Sequence, residues 1–154
     1  MKKIILLVAV LVAMGSFSCA YALENSRQGT IVDVKGVVEV QTASESWKAA
    51  QKGMILAQGD SIRTQKDSTA LIGIEDEGKM TTVEMKQNSK LQFAVLLGGK
   101  EAPTKTTLLD LSMGEILVKA QKVHSEKSKF EVKTPTSVVG IRGTTFSVAV
   151  ETTE

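Results

Sequence analysis

Histidine, cysteine and proline are scarce in this sequence of 154 residues, which has one His, one Cys and 2 Pro, and aromatic residues make up 4% of it. One cysteine cannot form a disulfide within the chain, so apolar burial and backbone pairing must hold the fold together. His124 is the single histidine, so the chain cannot form a histidine-rich metal site. Any catalytic pair of a nucleophile and a histidine base would have to use His124. No catalytic or phosphate-binding motif surrounds it, and the acidic cluster 75–78 lacks the spacing of a calcium loop. We therefore predict no enzymatic activity, no cofactor and no metal site.

The sequence also lacks an excess of charge of one sign. Lys and Arg number 19 against 17 Asp and Glu, and two of the basic residues, Lys2 and Lys3, precede an apolar N-terminal run. Without these two, the remainder is neutral. A neutral domain with few aromatic side chains lacks the positive field and the stacking surface that nucleic-acid binding uses, so we predict no nucleic-acid partner.

The N-terminal segment has the order of a secretory signal peptide. Lys2 and Lys3 are followed by the uncharged run 4–14 and by the small-residue triplet Ala20-Tyr21-Ala22. The run is shorter than the roughly 20 residues that span a bilayer, so we predict a signal peptide over 1–22, cleaved between Ala22 and Leu23. This predicts a periplasmic or secreted protein.

Two other fates of this segment remain open at the sequence level. The segment could stay uncleaved as an anchor, or a peptidase could cut before Cys19 and leave that cysteine lipidated. Ser16 stands where a lipobox has an aliphatic residue, which disfavours lipidation. Membrane contact is thus expected through the signal peptide alone or, as the alternative, through lipidated Cys19.

The rest of the chain, 23–154, has the alternation of apolar and polar residues that is typical of β-strands. Strands are predicted over Val32–Lys35, Val37–Val40, Ala70–Glu75, Met80–Met85, Lys90–Leu96, Thr107–Met113, Glu115–Ala120, Phe130–Lys133 and Thr145–Val150, with turn signals between them. The pattern predicts an all-β single domain of short strands, solenoid-like or a sandwich or barrel. Within 44–56, the stretch around Trp47 could form a helical turn or a loop capped by a buried Trp.

Two segments rich in glycine and small polar residues predict sharp chain reversals. In 53–64, Gly59 can adopt positive φ and the Asp60 carboxylate can accept backbone N–H bonds. In 134–148, two glycines bracket Ile141-Arg142, and we expect the Arg142 side chain to tie down that loop.

At these residues the sequence resembles a known family. The resemblance runs from about Gly29 to Val150 and is carried by Trp47, Gly53, Gly59, Asp60, Ile62, Thr64, Gly78, Gly114, Thr134, Pro135, Gly140, Arg142, Gly143, Thr144 and Phe146. In this order and spacing the residues are similar to those of the FecR domain family. The resemblance implies a periplasmic, solenoid-like β domain, which in FecR-type sensors relays the state of an outer-membrane receptor to a sigma factor.

The sequence departs from such sensors at both ends. A signal peptide stands where they carry a sigma-binding segment and a transmembrane helix, and the chain stops at Glu154 where family members commonly continue, so the domain could be incomplete there. We therefore expect a non-enzymatic envelope protein that acts as an interaction or signalling module, with an unidentified envelope protein as its partner. Its sheet edges or one sheet face are the expected contact surface.

An envelope-structural or glycan-binding protein is the alternative, weakened by the few aromatic residues available for stacking on sugars. The lysine-rich region 119–133 has two interpretations, a docking patch for a polyanion or an acidic partner, or a solvated loop or edge, and lysine is a usual device for protecting edges.

Overall fold

The computed structural model describes residues 27–42, 45–76, 79–99, 102, 104–120, 128–143 and 145–151. The strands are β1 (Gly29–Lys35), β2 (Val38–Gln41), β3 (Lys48–Ala49), β4 (Ile55–Leu56), β5 (Ser61–Thr64), β6 (Thr69–Asp76), β7 (Lys79–Met85), β8 (Lys90–Leu97), β9 (Thr106–Lys119), β10 (Lys129–Lys133), β11 (Val138–Ile141) and β12 (Thr145–Val150). No helix occurs among the described residues. The all-β class is confirmed.

The strands form one curled sheet whose two halves share the long strand β9. The first half has the order β3-β2-β5-β8-β9-β10-β11, and it uses β9 from Thr106 to Met113. The second half has the order β4-β1-β6-β7-β9-β12, and it uses β9 from Gly114 to Lys119. All described pairings except the parallel pair β9/β10 are antiparallel. This arrangement matches a folded antiparallel sheet, the sandwich or barrel alternative, rather than a solenoid of stacked parallel coils.

Gly114 lets β9 pass from one half of the sheet to the other. Before Gly114 the inward residues of β9 are odd-numbered, such as Leu109 and Leu111, and after it they are even-numbered, such as Ile116 and Val118. Gly114 has φ +84°, a conformation that costs a residue with a side chain about 1–2 kcal/mol. The extra residue in this strand keeps apolar side chains facing the core on both sides of the bend.

One apolar core fills the space between the two halves. The first half contributes fully buried Ile62, Phe93 and Leu109, and the second contributes Ile72 and Val83. A Cβ placed on Gly29 of β1 would lie 3.3 Å from Phe93 Cε1 of β8, so the two inner faces are in close contact. Burying each such side chain stabilises the fold by about 1.5–3 kcal/mol.

Several predicted elements differ from those observed. The two strands predicted on either side of Gly114 are one strand, because this glycine bends the chain without reversing it. The stretch around Trp47 is neither a helical turn nor a plain loop, since two-residue strands, β3 and β4, form there at the margins of the sheet. Strand β11 was not predicted, because its Val-Val-Gly-Ile sequence does not alternate.

Some predictions fall on residues outside the described ranges. These are the signal peptide 1–22 with Cys19, the cleavage site Ala22/Leu23, Gly78, Thr144, and Lys122, His124 and Lys127 of the lysine-rich region.

Candidate functional site

Four chain crossings between the two half-sheets lie side by side at one margin of the fold. The crossings are at residues 36–37, 65–68, 86–89 and 114–115, and backbone hydrogen bonds link each to the next: Gln65 N–H to Val37 C=O at 3.0 Å, Asn88 N–H to Gln65 C=O at 3.2 Å and Lys86 N–H to Glu115 C=O at 2.9 Å. We call this row the corner seam.

The two outer crossings of the corner seam have the same construction. At one end, Val37 N–H, just after Gly36 with φ +77°, donates to Ser68 Oγ at 2.8 Å. At the other end, Glu115 N–H, just after Gly114, donates to Ser89 Oγ at 2.9 Å. Each serine is buried and follows a residue with positive φ, Asp67 or Asn88. A positive-φ glycine packed on a buried serine hydroxyl therefore forms each corner.

A groove of about 920 Å³ runs along the corner seam beside the end of β12. Its charged lining is mixed: Lys35, Asp67, Lys86, Glu115 and Glu151. Lys86 Nζ lies 2.6 Å from Glu84 Oε1, and this hydrogen bond, with the negative charges of Glu84 and then Glu115, raises the pKa of the lysine. The Ser68 and Ser89 hydroxyls are engaged with backbone groups, so the groove shows no activated nucleophile among the described residues.

The predicted turn before β5 has the expected geometry. Gly59 has φ +94°, and Asp60, which is buried, accepts a hydrogen bond from Ala57 N–H at Oδ2, at 2.8 Å. Ile62 is fully buried, and Thr64 Oγ1 accepts a hydrogen bond from Ser89 N–H at 3.0 Å. These motif residues stabilise the connection between β4 and β5 and its link to the corner seam. Gly53 likewise has positive φ, of +87°.

Thr134 and Pro135 form the turn between β10 and β11. Thr134 Oγ1 is the acceptor for Ser137 N–H at 3.0 Å, and Thr134 N–H donates to Ser137 C=O at 2.8 Å. Pro135 is exposed in the second position of this four-residue turn, where a fixed φ is favourable. This part of the motif therefore has a structural role.

The segment from Gly140 to Phe146 has a different character. Gly140 lies within β11 with open space around its Cα, while Gly143, with φ +70°, makes the turn to β12. Arg142 is exposed, and the described residues include no hydrogen-bond or ion-pair partner for its guanidinium. The expectation that Arg142 ties down this loop therefore finds no support among the described contacts. Phe146 is half-buried against the core.

Strands β11 and β12 are the last described strands of their half-sheets, and their outer edges lie at the same end of the fold. Each pairs with a described strand on one side alone, β11 with β10 and β12 with β9. Neither strand contains a charged residue or a proline. Val138 and Val139 of β11 are 60% and 37% exposed. At the opposite margins of the two half-sheets, the last described strands are β3 and β4, which have two residues each. We call the pair of longer edges the open edge.

Trp47 lies on the outer face of the first half-sheet beside two cations. The Arg63 guanidinium carbon is 4.2 Å from the centre of the indole ring, and Lys90 Nζ is 5.7 Å from it. Arg63 Nε donates to Glu39 Oε2 at 2.8 Å, and this bond, followed by that from Gln65, lowers the pKa of Glu39. The resemblance singled out Trp47, but the adjacent cations were missed because strand pairing alone brings them together.

The lysines of region 119–133 do not form one patch in the described part of the region. Lys119 stands at the end of the 14-residue strand β9, while Lys129 pairs with Thr106 at its start. Lys133 Nζ is 3.3 Å from Asp110 Oδ2. This placement argues against a single docking patch, and Lys129 and Lys133 do not protect a sheet edge either, because β10 pairs with β9 on one side and β11 on the other.

The described residues hold no group of three or more metal-ligating side chains, and none of their elements is a helix able to cross a bilayer.

The comparisons with known proteins give one match. The family model described as FecR protein matches residues 60–154, which include Asp60, the corner seam from residue 65 onward and the open edge. Trp47, Gly53 and Gly59, which the resemblance included, lie outside the matched range. No curated protein and no solved structure matches the chain. Because the match covers more than half of the chain, this protein belongs to the FecR family, a regulatory family of envelope-associated proteins.

Proposed function

We propose that this protein is a non-enzymatic interaction module of the cell envelope, periplasmic or secreted, which binds an extended segment of a protein partner at its open edge. The observation that carries the proposal is the chemistry of β11 and β12. Both have an unpaired side among the described strands, both are uncharged, and β11 exposes Val138 and Val139.

Unpaired strand edges invite pairing with another chain, and stable proteins normally protect them with lysine, proline, bulges or short strands. The two-residue strands at the opposite margins follow that rule. The open edge, with strands of four and six residues, carries none of these devices within its strands. Strand addition supplies affinity through backbone hydrogen bonds and specificity through alternate side chains.

Membership of a regulatory family supports the same function, because signalling requires a surface that recognises another protein. Arg142 supports it as well. This motif residue is exposed next to the open edge, and it lines a recess of about 260 Å³ with Phe130 and Ile141. Its exposure makes a contact with a partner a better explanation of this side chain than a local structural role.

Capture from cross-linked envelope tests the proposal. The tagged protein is expressed from the full-length gene and recovered from its native envelope, and cross-linked peptides are identified by mass spectrometry. We expect a receptor or membrane regulator cross-linked to residues at or next to β11 and β12. Sedimentation with purified cell wall, without a protein partner, would instead favour the envelope-structural or glycan-binding alternative.

A further inference from the structure

A row of charged side chains crosses the outer face of the first half-sheet. Cross-strand pairing places Glu39 of β2 opposite Arg63 of β5, Arg63 opposite Lys90 of β8, and Lys90 opposite Met113 of β9. Residues directly opposite in an antiparallel pair have Cβ atoms about 4.5–5.5 Å apart. The pairing therefore places two cationic residues side by side on neighbouring strands, and their charged groups lie 4.2 and 5.7 Å from the centre of the Trp47 ring.

The two cations repel each other, although each also lies near the Trp47 ring, which attracts positive charge. Like charges directly opposite each other destabilise a sheet, and one carboxylate, Glu39, offsets one of the two cations. Arg63 uses Nε for that bond, and its two terminal nitrogens have no hydrogen-bond partner among the described residues. Lys90 is exposed and has no ion pair within the described part of the chain. The row of Glu39, Arg63 and Lys90 thus carries one more positive than negative charge.

The two cations also border a recess of suitable size. The recess, of about 380 Å³, is lined by Arg63, Gln65, Asn88 and Lys90 among others. Its amide side chains can bond to peptide groups, and its cations can bond to a carboxylate. Trp47 lies against both cations, so a group that binds between them changes the surroundings of the indole.

We infer that the space between Arg63 and Lys90 is a binding site for a carboxylate side chain of an acidic peptide segment in a partner protein. Arg63 presents a planar fork that matches a carboxylate, and Lys90 adds a second charge. The bound carboxylate relieves the repulsion between the two cations. The inference rests on the proposed function in taking the ligand to be a protein, but it concerns a face of the sheet and not the open edge.

A peptide fits this site better than a sugar does. Sugars bind proteins largely by stacking on an exposed aromatic face. Here Arg63 covers a face of the indole at 4.2 Å, and the described residues that line the recess include no aromatic side chain. A charged, hydrogen-bonding site with little stacking surface is suited to an Asp or Glu side chain.

Trp47 fluorescence tests the inference directly, because Trp47 is the sole tryptophan of the chain. Protein expressed from the full-length gene is titrated with a soluble eight-residue peptide of alternating Gly and Glu, and with its Gly and Gln analogue. We expect a saturable change with the Glu peptide, which weakens in high salt, and none with the Gln peptide. Lys90→Gln should lower the affinity about tenfold, the loss of one charge-assisted hydrogen bond.

The matched control is Lys129→Gln, which removes an exposed lysine of the same half-sheet far from Trp47 and should leave the affinity unchanged. Circular dichroism verifies that both variants are folded. Equal affinity in the Lys90 and Lys129 variants, or no saturable response to the Glu peptide, overturns the inference. So does a response to polygalacturonate or inorganic phosphate alone. None of these results bears on the open edge, which is tested by partner capture.

Discussion

At the scale of single residues, the two outer corners of the corner seam depend on glycine. A Cβ on Gly114 would lie 2.5 Å from Ser89 Cα, closer than real contacts allow, and the residue has positive φ. Gly114→Ala should therefore reduce the free energy of unfolding by about 2–4 kcal/mol. Urea denaturation measures this loss.

Gly140→Ala is the matched control, because Gly140 lies in open space and does not have positive φ. It should change the free energy of unfolding by less than about 1 kcal/mol. Equal effects of the two substitutions would remove the steric explanation of the corner.

Arg142 allows a prediction that separates folding from binding. Its guanidinium makes no hydrogen bond or ion pair with the described residues, so Arg142→Lys should leave the melting temperature unchanged. In capture from cross-linked envelope, the same variant should recover less partner than the unmodified protein, because Lys cannot reproduce the planar fork of Arg. A lower melting temperature with normal capture would restore the structural role expected from the sequence.

Glu39 gives the fold a predictable dependence on pH. Its hydrogen bond with Arg63 lowers the pKa of the folded carboxyl below the ordinary value of 4.5, so folding favours the ionised form. The resulting stabilisation is present above the pKa of the unfolded chain and is lost as the pH falls through the folded pKa. Glu39→Gln should flatten the drop in melting temperature below about pH 4.5. Glu131→Gln, which removes no ion pair among the described residues, should show the same drop in melting temperature as the unmodified protein.

At the scale of strands, alternation predicted most of the sheet. Strands β6, β7 and β10 lie within one residue of the predicted ranges at each end and β12 matches its range, because each has one face in the core and one in water. Strands β3 and β4 were missed since two residues carry no periodicity. The predicted break at Gly114 was wrong because a positive-φ glycine is compatible with both a reversal and a bend.

The turns of the candidate site could be predicted from the sequence, but the side chains that the fold brings together there could not. Asp60 and its bond to the turn followed from the Gly-Asp pattern, and the turn at Gly143 followed from the two glycines that bracket Ile141-Arg142. The juxtaposition of Arg63 and Lys90 depends on which strands pair and in what register, and these are long-range properties. The roles of Ser68 and Ser89 were missed for the same reason, since each bonds to a corner far away in sequence.

At the scale of the whole molecule, the described fold is asymmetric. One pair of margins ends in two-residue strands, and the other pair presents the uncharged open edge. The corner seam fixes the two half-sheets relative to each other on a third side. A sheet whose described strands include this open edge is suited to accepting an additional strand, which is the central claim of the proposed function.

One measurement tests that claim most directly: partner recovery from cross-linked envelope by two matched variants, Val138→Lys and Val37→Lys. These valines are 60% and 59% exposed, but Val138 lies in β11 and Val37 lies at a corner. A lysine on an edge strand opposes strand addition. Binding through the open edge predicts that Val138→Lys loses most of the partner while Val37→Lys recovers it as the unmodified protein does. Undiminished recovery by the Val138 variant, with both proteins folded, would contradict the account.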